Sequence, residues 1–370
     1  MKSVINNIVF IANPFGFGPA GTAIILIEEL RKKWSGKITF IASQKCLDIL
    51  PKTLGETIDI LEIDERNPVE LTETLSHLTS SLAVIVLNKT AIKTAHNLGI
   101  KAFFIDPLSW MWQEIPGEYL SANTYYYYDI FGVQKRLQGI SNAHPISPIL
   151  GELPKWEPVN GTFLVHIGGF SNPFVDDNTR YLRLLNELLE HIDNTYKVAV
   201  VGGKSGINFL KEVCSKLSID FLVLDRKSFL ERITHTERFI TTSGLTAVFE
   251  SFMIGTPVSF LPPTNLSQWK QLKLFLSLNA APLEMQWERY FPTPEKLKET
   301  PENEALREFS RLSEVALQNQ NVMDKMRSDF ANLFSQEANF KGQNDLIVKN
   351  GDGSSEIISD ILNVVSSSGI

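Results

Sequence analysis

The sequence predicts an α/β protein made of two Rossmann-like, doubly wound parallel-sheet domains facing a cleft. Three observations point there. Short continuous apolar runs alternate with helix-like stretches, the alternation halts at a proline-rich segment and restarts, and 370 residues are more than one hydrophobic core usually organises. A composition of 43% hydrophobic and 21% charged residues excludes collagen-like, low-complexity and wholly disordered classes.

Ile5–Ala12 is a β-rich run and predicts the first strand, followed by the glycine-rich turn NPFGFGPAG. Thr22–Trp34 predicts a helix, Ile38–Ala42 and Ile58–Ile63 two strands, and Val69–Leu78 a helix. Leu82–Leu87 and Lys101–Ile105 predict further strands on either side of a helix at Ala91–Leu98. Strands that are apolar throughout belong to a parallel sheet covered on both faces. Tyr125–Tyr128 reads as an amphipathic strand. Ser141–Asn160 carries prolines and no periodicity, which predicts a domain boundary there, placed at residue 150.

Beyond it, Thr162–Ile167, Lys197–Val201, Phe221–Leu224, Phe239–Thr241 and Pro257–Leu261 predict strands. Helices are expected at Thr179–His191, Ile207–Leu217 and Phe229–Ile233, and the pattern from Asn303 to Gln336 is helical and charged. The expected domains are 1–150 and 151–340, with 341–370 as a polar segment and C-terminal helix.

A net charge of −7 argues against nucleic acid and anionic membrane as partners. Cys46 and Cys214 lie too far apart for a metal motif, and two cysteines make no disulfide framework, so a reducing cytoplasm is expected. No apolar run approaches a membrane span, so no stable membrane insertion is expected. The apolar stretch near the N-terminus is too short for a signal peptide.

Three loops suit phosphate. Gly16-Phe17-Gly18-Pro19-Ala20-Gly21 satisfies G-x-G-x-x-G between a strand and a helix, where glycines let backbone approach a ligand at the positive helix end. The second strand ends in Ser43-Gln44-Lys45, without the acid that grips an NAD ribose; Ser43 and Lys45 leave an NADP site open. Gly203-Lys204-Ser205 resembles part of a P-loop but lacks its first glycine, Val198 standing there. Ser243-Gly244-Leu245-Thr246 opens a helix that carries Glu250, a carboxylate able to accept from a ribose diol.

The segment TTSGLTAVFESFMIGTPVSFLPPTNLSQ resembles the donor-binding segment of GT-B glycosyltransferases, above all the family of the peptidoglycan N-acetylglucosaminyltransferase. The corresponding parts are Ser243-Gly244, Glu250, Gly255-Thr256-Pro257, Pro262-Pro263 and Gln268; spacing departs by about one residue before Gln268, and Trp269 replaces a second glutamine. Gly168, Gly169 and Phe170 are similar to the family's first donor loop, Gly203 with Lys204 to its second, and Ser228-Phe229 to the backbone that meets the base. The loop Gly16–Gly21 is similar to its acceptor-domain glycine loop. A narrower resemblance, carried by FGFGPAG, IDPLSWMW, YDIFGVQKRL and HIGGFSNP together with that segment, is to cytosylglucuronate synthases.

The resemblance implies a UDP-sugar donor, held in addition by Leu245, Thr246, Asn265, Ser267 and Gln268, and a small-molecule acceptor near Gly16, Phe17, Trp110 and Trp112. It implies metal-independent inverting transfer: no Asp-x-Asp motif is present, Asp176-Asp177 reads as a helix start, and amides at Gly244 and Gly18 would stabilise the leaving diphosphate. Asp106, at the end of the fifth strand, is the first choice for the base, with Glu114 and His166 in reserve; an aspartate before a proline also simply starts turns. Lys204, Arg180 and Lys270 are the cations for a uronate carboxylate. The alternatives are an NADP-dependent oxidoreductase built on Gly16–Gly21 and a non-catalytic nucleotide-sugar-binding protein.

Overall fold

A computed structural model of the chain describes residues 5–78, 81–169, 179–292, 297, 300–347 and 352–368. The chain divides into two compact units, unit 1 comprising Met1–Glu152 with Asn350–Ile370 and unit 2 comprising Leu153–Lys349. Among the described residues no helix is long and apolar enough to cross a membrane.

Unit 1 runs β1 (Asn7–Ala12), α1 (Gly18–Lys33), β2 (Lys37–Ala42), α2 (Gln44–Leu47), α3 (Lys52–Gly55), β3 (Asp59–Glu62), α4 (Pro68–Ser76), β4 (Ser81–Val86), α5 (Lys89–Asn97), β5 (Lys101–Asp106), β6 (Thr124–Tyr128), α6 (Gln134–Leu137) and β7 (Ala143–Ile146). The seven strands are parallel in the order β3-β2-β1-β4-β5-β6-β7. The continuous apolar runs give strands buried on both faces, β1 and β4 along their whole length. Helix α1 starts four residues before its expected start, because the loop's last glycines already lie inside it. Pro19 sits in its first turn, where a missing N–H is not needed, and Arg31, Lys32 and Lys33 sit at its negative end.

Strand β6 corrects the amphipathic expectation, for all four tyrosines are buried. Tyr125 stacks on Phe104 at 6.1 Å, and Tyr126 meets Phe103 edge-on at 5.5 Å.

Unit 2 runs β8 (Val159–Gly168), α7 (Arg180–Leu189), β9 (Lys197–Gly202), α8 (Lys204–Val213), β10 (Ile219–Leu222), α9 (Arg226–Thr234), β11 (Thr236–Thr241), α10 (Leu245–Ile254), β12 (Val258–Phe260), α11 (Leu266–Ser277), α12 (Glu302–Gln318), α13 (Gln320–Ser335) and α14 (Lys341–Ile347). Its five strands are parallel in the order β10-β9-β8-β11-β12. The charged helical stretch is two helices, broken at Asn319, whose side chain accepts from Val322 N and caps the second.

The last helix, α15 (Ser354–Ser368), packs on α1. It buries Ile357, Ile358 and Ile361 completely, and the Tyr126 hydroxyl donates to Asp360 at 2.6 Å. Asp352 accepts from the amides of Leu150 and Gly151 just ahead of it. Expected as one tail, residues 341–370 are thus divided between the units.

Candidate functional site

In a parallel sheet the carboxyl ends of the strands share one edge, and ligands collect where the strand order reverses. In unit 2 that point lies between β8 and β11. Strand β8 ends at Gly168, whose φ is +68°, with Gly169 next. Gly203 N donates to Gly168 O at 2.9 Å, drawing the β8 and β9 turns together. A Cβ on Gly202 would lie 2.2 Å from Ile167 Cγ1 and 3.0 Å from Gly168 O, so only glycine permits this approach. Helix α8 opens beside it with Lys204 exposed and no capping side chain. Phe170 and Asp176-Asp177 lie outside the described residues.

Strand β11 leads through Thr242, Ser243 and Gly244 into α10. The buried Ser243 donates its hydroxyl to Gln268 O at 2.6 Å, pinning this turn to the start of α11. Gly244 N donates to Thr242 O at 2.7 Å, so the amide expected to meet a diphosphate is turned into its own loop. Gly244 also brings no capping side chain, and the amides of Leu245, Thr246 and Ala247 have no acceptor among the described residues. These half-buried donors at the positive end of a helix form an anion-binding concavity.

Glu250 lies further along α10, its side chain 4% exposed. Arg226, 10% exposed at the start of α9, donates to Glu250 Oε1 from Nε at 3.1 Å and from Nη2 at 2.9 Å. Sequence reasoning missed Arg226. The available signal was Asp225-Arg226 just past a strand's carboxyl end, where Asp225 caps α9 by accepting from Ser228 N at 2.8 Å. That cap uses the backbone expected to meet a base, since Phe229 N also donates to Asp225 O. The Phe229 ring instead lies 5.1 Å from His166. His166 Nδ1 is 3.1 Å from Thr241 Oγ1, and burial pulls the imidazole down to about 4, leaving it neutral and too weak to serve as a base near pH 7.

The loop entering α11 is bonded to itself. Asn265 accepts from Gln268 N at 2.9 Å and from the Ser267 hydroxyl at 2.8 Å. Gln268 Oε1 accepts from Thr264 N at 2.8 Å and from its hydroxyl at 3.0 Å, while Nε2 has no partner among the described residues. Trp269 is buried and donates its indole N–H to Glu288 at 2.8 Å, so it faces the protein. Burial lowers the pKa of Lys270, which sits in the field of Glu302, and Arg180 lies against Glu314.

In unit 1 the strand order reverses between β1 and β4. Asn13 spans the point, its amide donating to Val86 O and its side chain to Leu87 O. Gly16, with φ of +70°, turns the chain so that Phe17 precedes α1 and Gly18 begins it; Phe17 supplies no side-chain cap. The NADP alternative meets an obstacle here. The fully buried carboxylate of Glu65 accepts from Ser43 N at 3.0 Å and from its hydroxyl at 3.1 Å, standing where a ribose phosphate would bind.

Asp106 corrects the expected base. Its carboxylate has no exposed surface and accepts from Tyr125 OH at 2.7 Å, Leu108 N at 2.8 Å and Trp112 Nε1 at 2.9 Å. It anchors its own loop and has no surface left for an acceptor. Trp112 is likewise held inward, edge-on to Tyr119. Trp110 packs edge-on to Phe131 at 5.5 Å, with its indole nitrogen buried and without a partner among the described residues. Glu114 is exposed in the following loop.

No protein-family model and no curated protein matches the chain. Solved structures do. Arabidopsis thaliana UGT89C1 complexed with UDP superposes with a TM-score of 0.57 at 11% identity, over 99% of this chain and 100% of that one. A UDP-glucosyltransferase from Polygonum tinctorium capable of glucosylating indoxyl gives 0.54 at 14%, over 99% and 100%. The spinosyn forosaminyltransferase SpnP gives 0.53 at 12%, over 97% and 99%. The fold of these two parallel-sheet units is therefore GT-B.

Proposed function

We propose that a chain with this fold and these loops is a glycosyltransferase that moves a sugar from a UDP-sugar to a small acceptor, with inversion and without a required metal. The observation that carries the reading is the uncapped first turn of α10 on the same helix as the buried carboxylate of Glu250. Three unspent amides suit the diphosphate, and the carboxylate suits the ribose diol. UDP bound to the Arabidopsis protein of the same fold supports this choice of nucleotide.

In the reaction, the bond between the anomeric carbon and the diphosphate oxygen breaks and its electron pair leaves with UDP. An acceptor lone pair forms the new bond on the opposite face. Amides at the start of α10 stabilise the charge that builds on the leaving group. Of the three acid–base candidates, only Glu114 combines exposure with a carboxylate, and it takes the base's place in this reading. The finer reading is glucuronic acid as the sugar, with exposed Lys204 for its carboxylate, and cytosine or a related pyrimidine as the acceptor.

The test is product analysis by mass spectrometry with a panel of UDP-sugars, UDP-glucuronate included, and small acceptors beginning with cytosine. Sugar transfer that persists in excess chelator is expected. Transfer that stops with chelator and returns with manganese contradicts the metal-independent mechanism, and no transfer with any pair contradicts the enzyme.

A further inference from the structure

The ion pair between Arg226 and Glu250 lies almost wholly out of water, and Nε and Nη2 of the guanidinium both donate to Oε1. Helix α9 presents Arg226 from just behind its Asp225 cap, and α10 presents Glu250 beyond the amides of Leu245–Ala247. A carboxylate this deeply buried calls for a charged partner, and two donors on Oε1 hold that oxygen in place. We propose that Arg226 is the positioning residue of the nucleotide site, holding the Glu250 carboxylate oriented so that it selects a ribose over a 2′-deoxyribose. The inference rests on the donor-site reading above. Arg226 need not touch the nucleotide. It acts through the direction of the oxygen acceptors that Glu250 offers.

The consequence is a coupling between a protein side chain and one hydroxyl of the ligand. The measurement is calorimetric titration of the full chain with UDP and with 2′-deoxy-UDP, for wild type and Arg226→Gln. Wild type is expected to prefer UDP by roughly tenfold or more, the range of a hydrogen bond to a charged acceptor. In Arg226→Gln the preference should collapse to within about twofold, because UDP loses affinity and 2′-deoxy-UDP hardly changes. A variant that weakens both nucleotides equally, or keeps the wild-type preference, overturns the inference. If Arg226→Gln does not fold, Arg226→Lys replaces the fork by a point charge and should lower the preference at least about threefold; an unchanged preference overturns the inference equally. Failure of the underlying reading looks different: wild type then binds no UDP, or Glu250→Gln leaves the UDP preference intact.

Discussion

Asp106 lies at the carboxyl end of β5, where a base would be looked for, yet its three hydrogen bonds all come from its own unit. Burial raises its pKa from 3.8 to about 6, against the opposing pull of Tyr125, Leu108 N and Trp112. Between these values the folded chain keeps a proton that the unfolded chain has released. Its stabilising contribution is therefore present below about pH 4 and lost as pH rises through 6, a difference of about 3 kcal/mol. Calorimetric melts of wild type and Asp106→Asn from pH 4 to 7 should show wild type ahead by a margin that shrinks with rising pH. A margin independent of pH would contradict the enclosed-carboxylate account. Glu250 was legible because its spacing from Ser243-Gly244 is local. Arg226 was not, because its partner lies twenty-four positions away in sequence. The enclosure of Asp106 was hidden too, since Tyr125 comes from the neighbouring strand.

Among the elements, strands buried on both faces such as β1 and β4 read well, because they are apolar at every position and need no period to be seen; β7, half-exposed and carrying Pro145, was hidden in the proline-rich boundary stretch. Helix starts read less well. Gly18 and Gly21 of the first loop looked like turn and proved to lie in the first turn of α1. The first turn of α10 permits a clean test of its proposed role. Leu245 is its first residue, where proline is tolerated, and Gly244 already has the extended φ of −72° and ψ of 149° that a following proline demands. Leu245→Pro deletes one unspent amide without breaking the helix. It should weaken UDP about tenfold or more while leaving uridine, which lacks phosphates, within about twofold by titration. Equal losses for both ligands would place the diphosphate elsewhere.

At the scale of the whole chain, the least legible feature was the return of α15 to unit 1. A helix that packs against a strand more than two hundred positions earlier leaves no local pattern, and Tyr126 with Asp360 is such a pair. Ending the chain after Lys349 would strip α1 of Ile357, Ile358 and Ile361 and remove the Asp352 acceptor. Burial of three isoleucines is worth about 5 kcal/mol or more, so the shortened protein should melt well below the full chain or fail to fold. An unchanged melting temperature would show that α15 is dispensable. Hydrogen–deuterium exchange with and without saturating UDP decides whether unit 2 docks a nucleotide diphosphate where β11 enters α10. Slowed exchange is expected in peptides covering Leu245–Ala247 and Glu250. Protection confined to the Gly16–Gly21 loop, or absent from the start of α10, would contradict it.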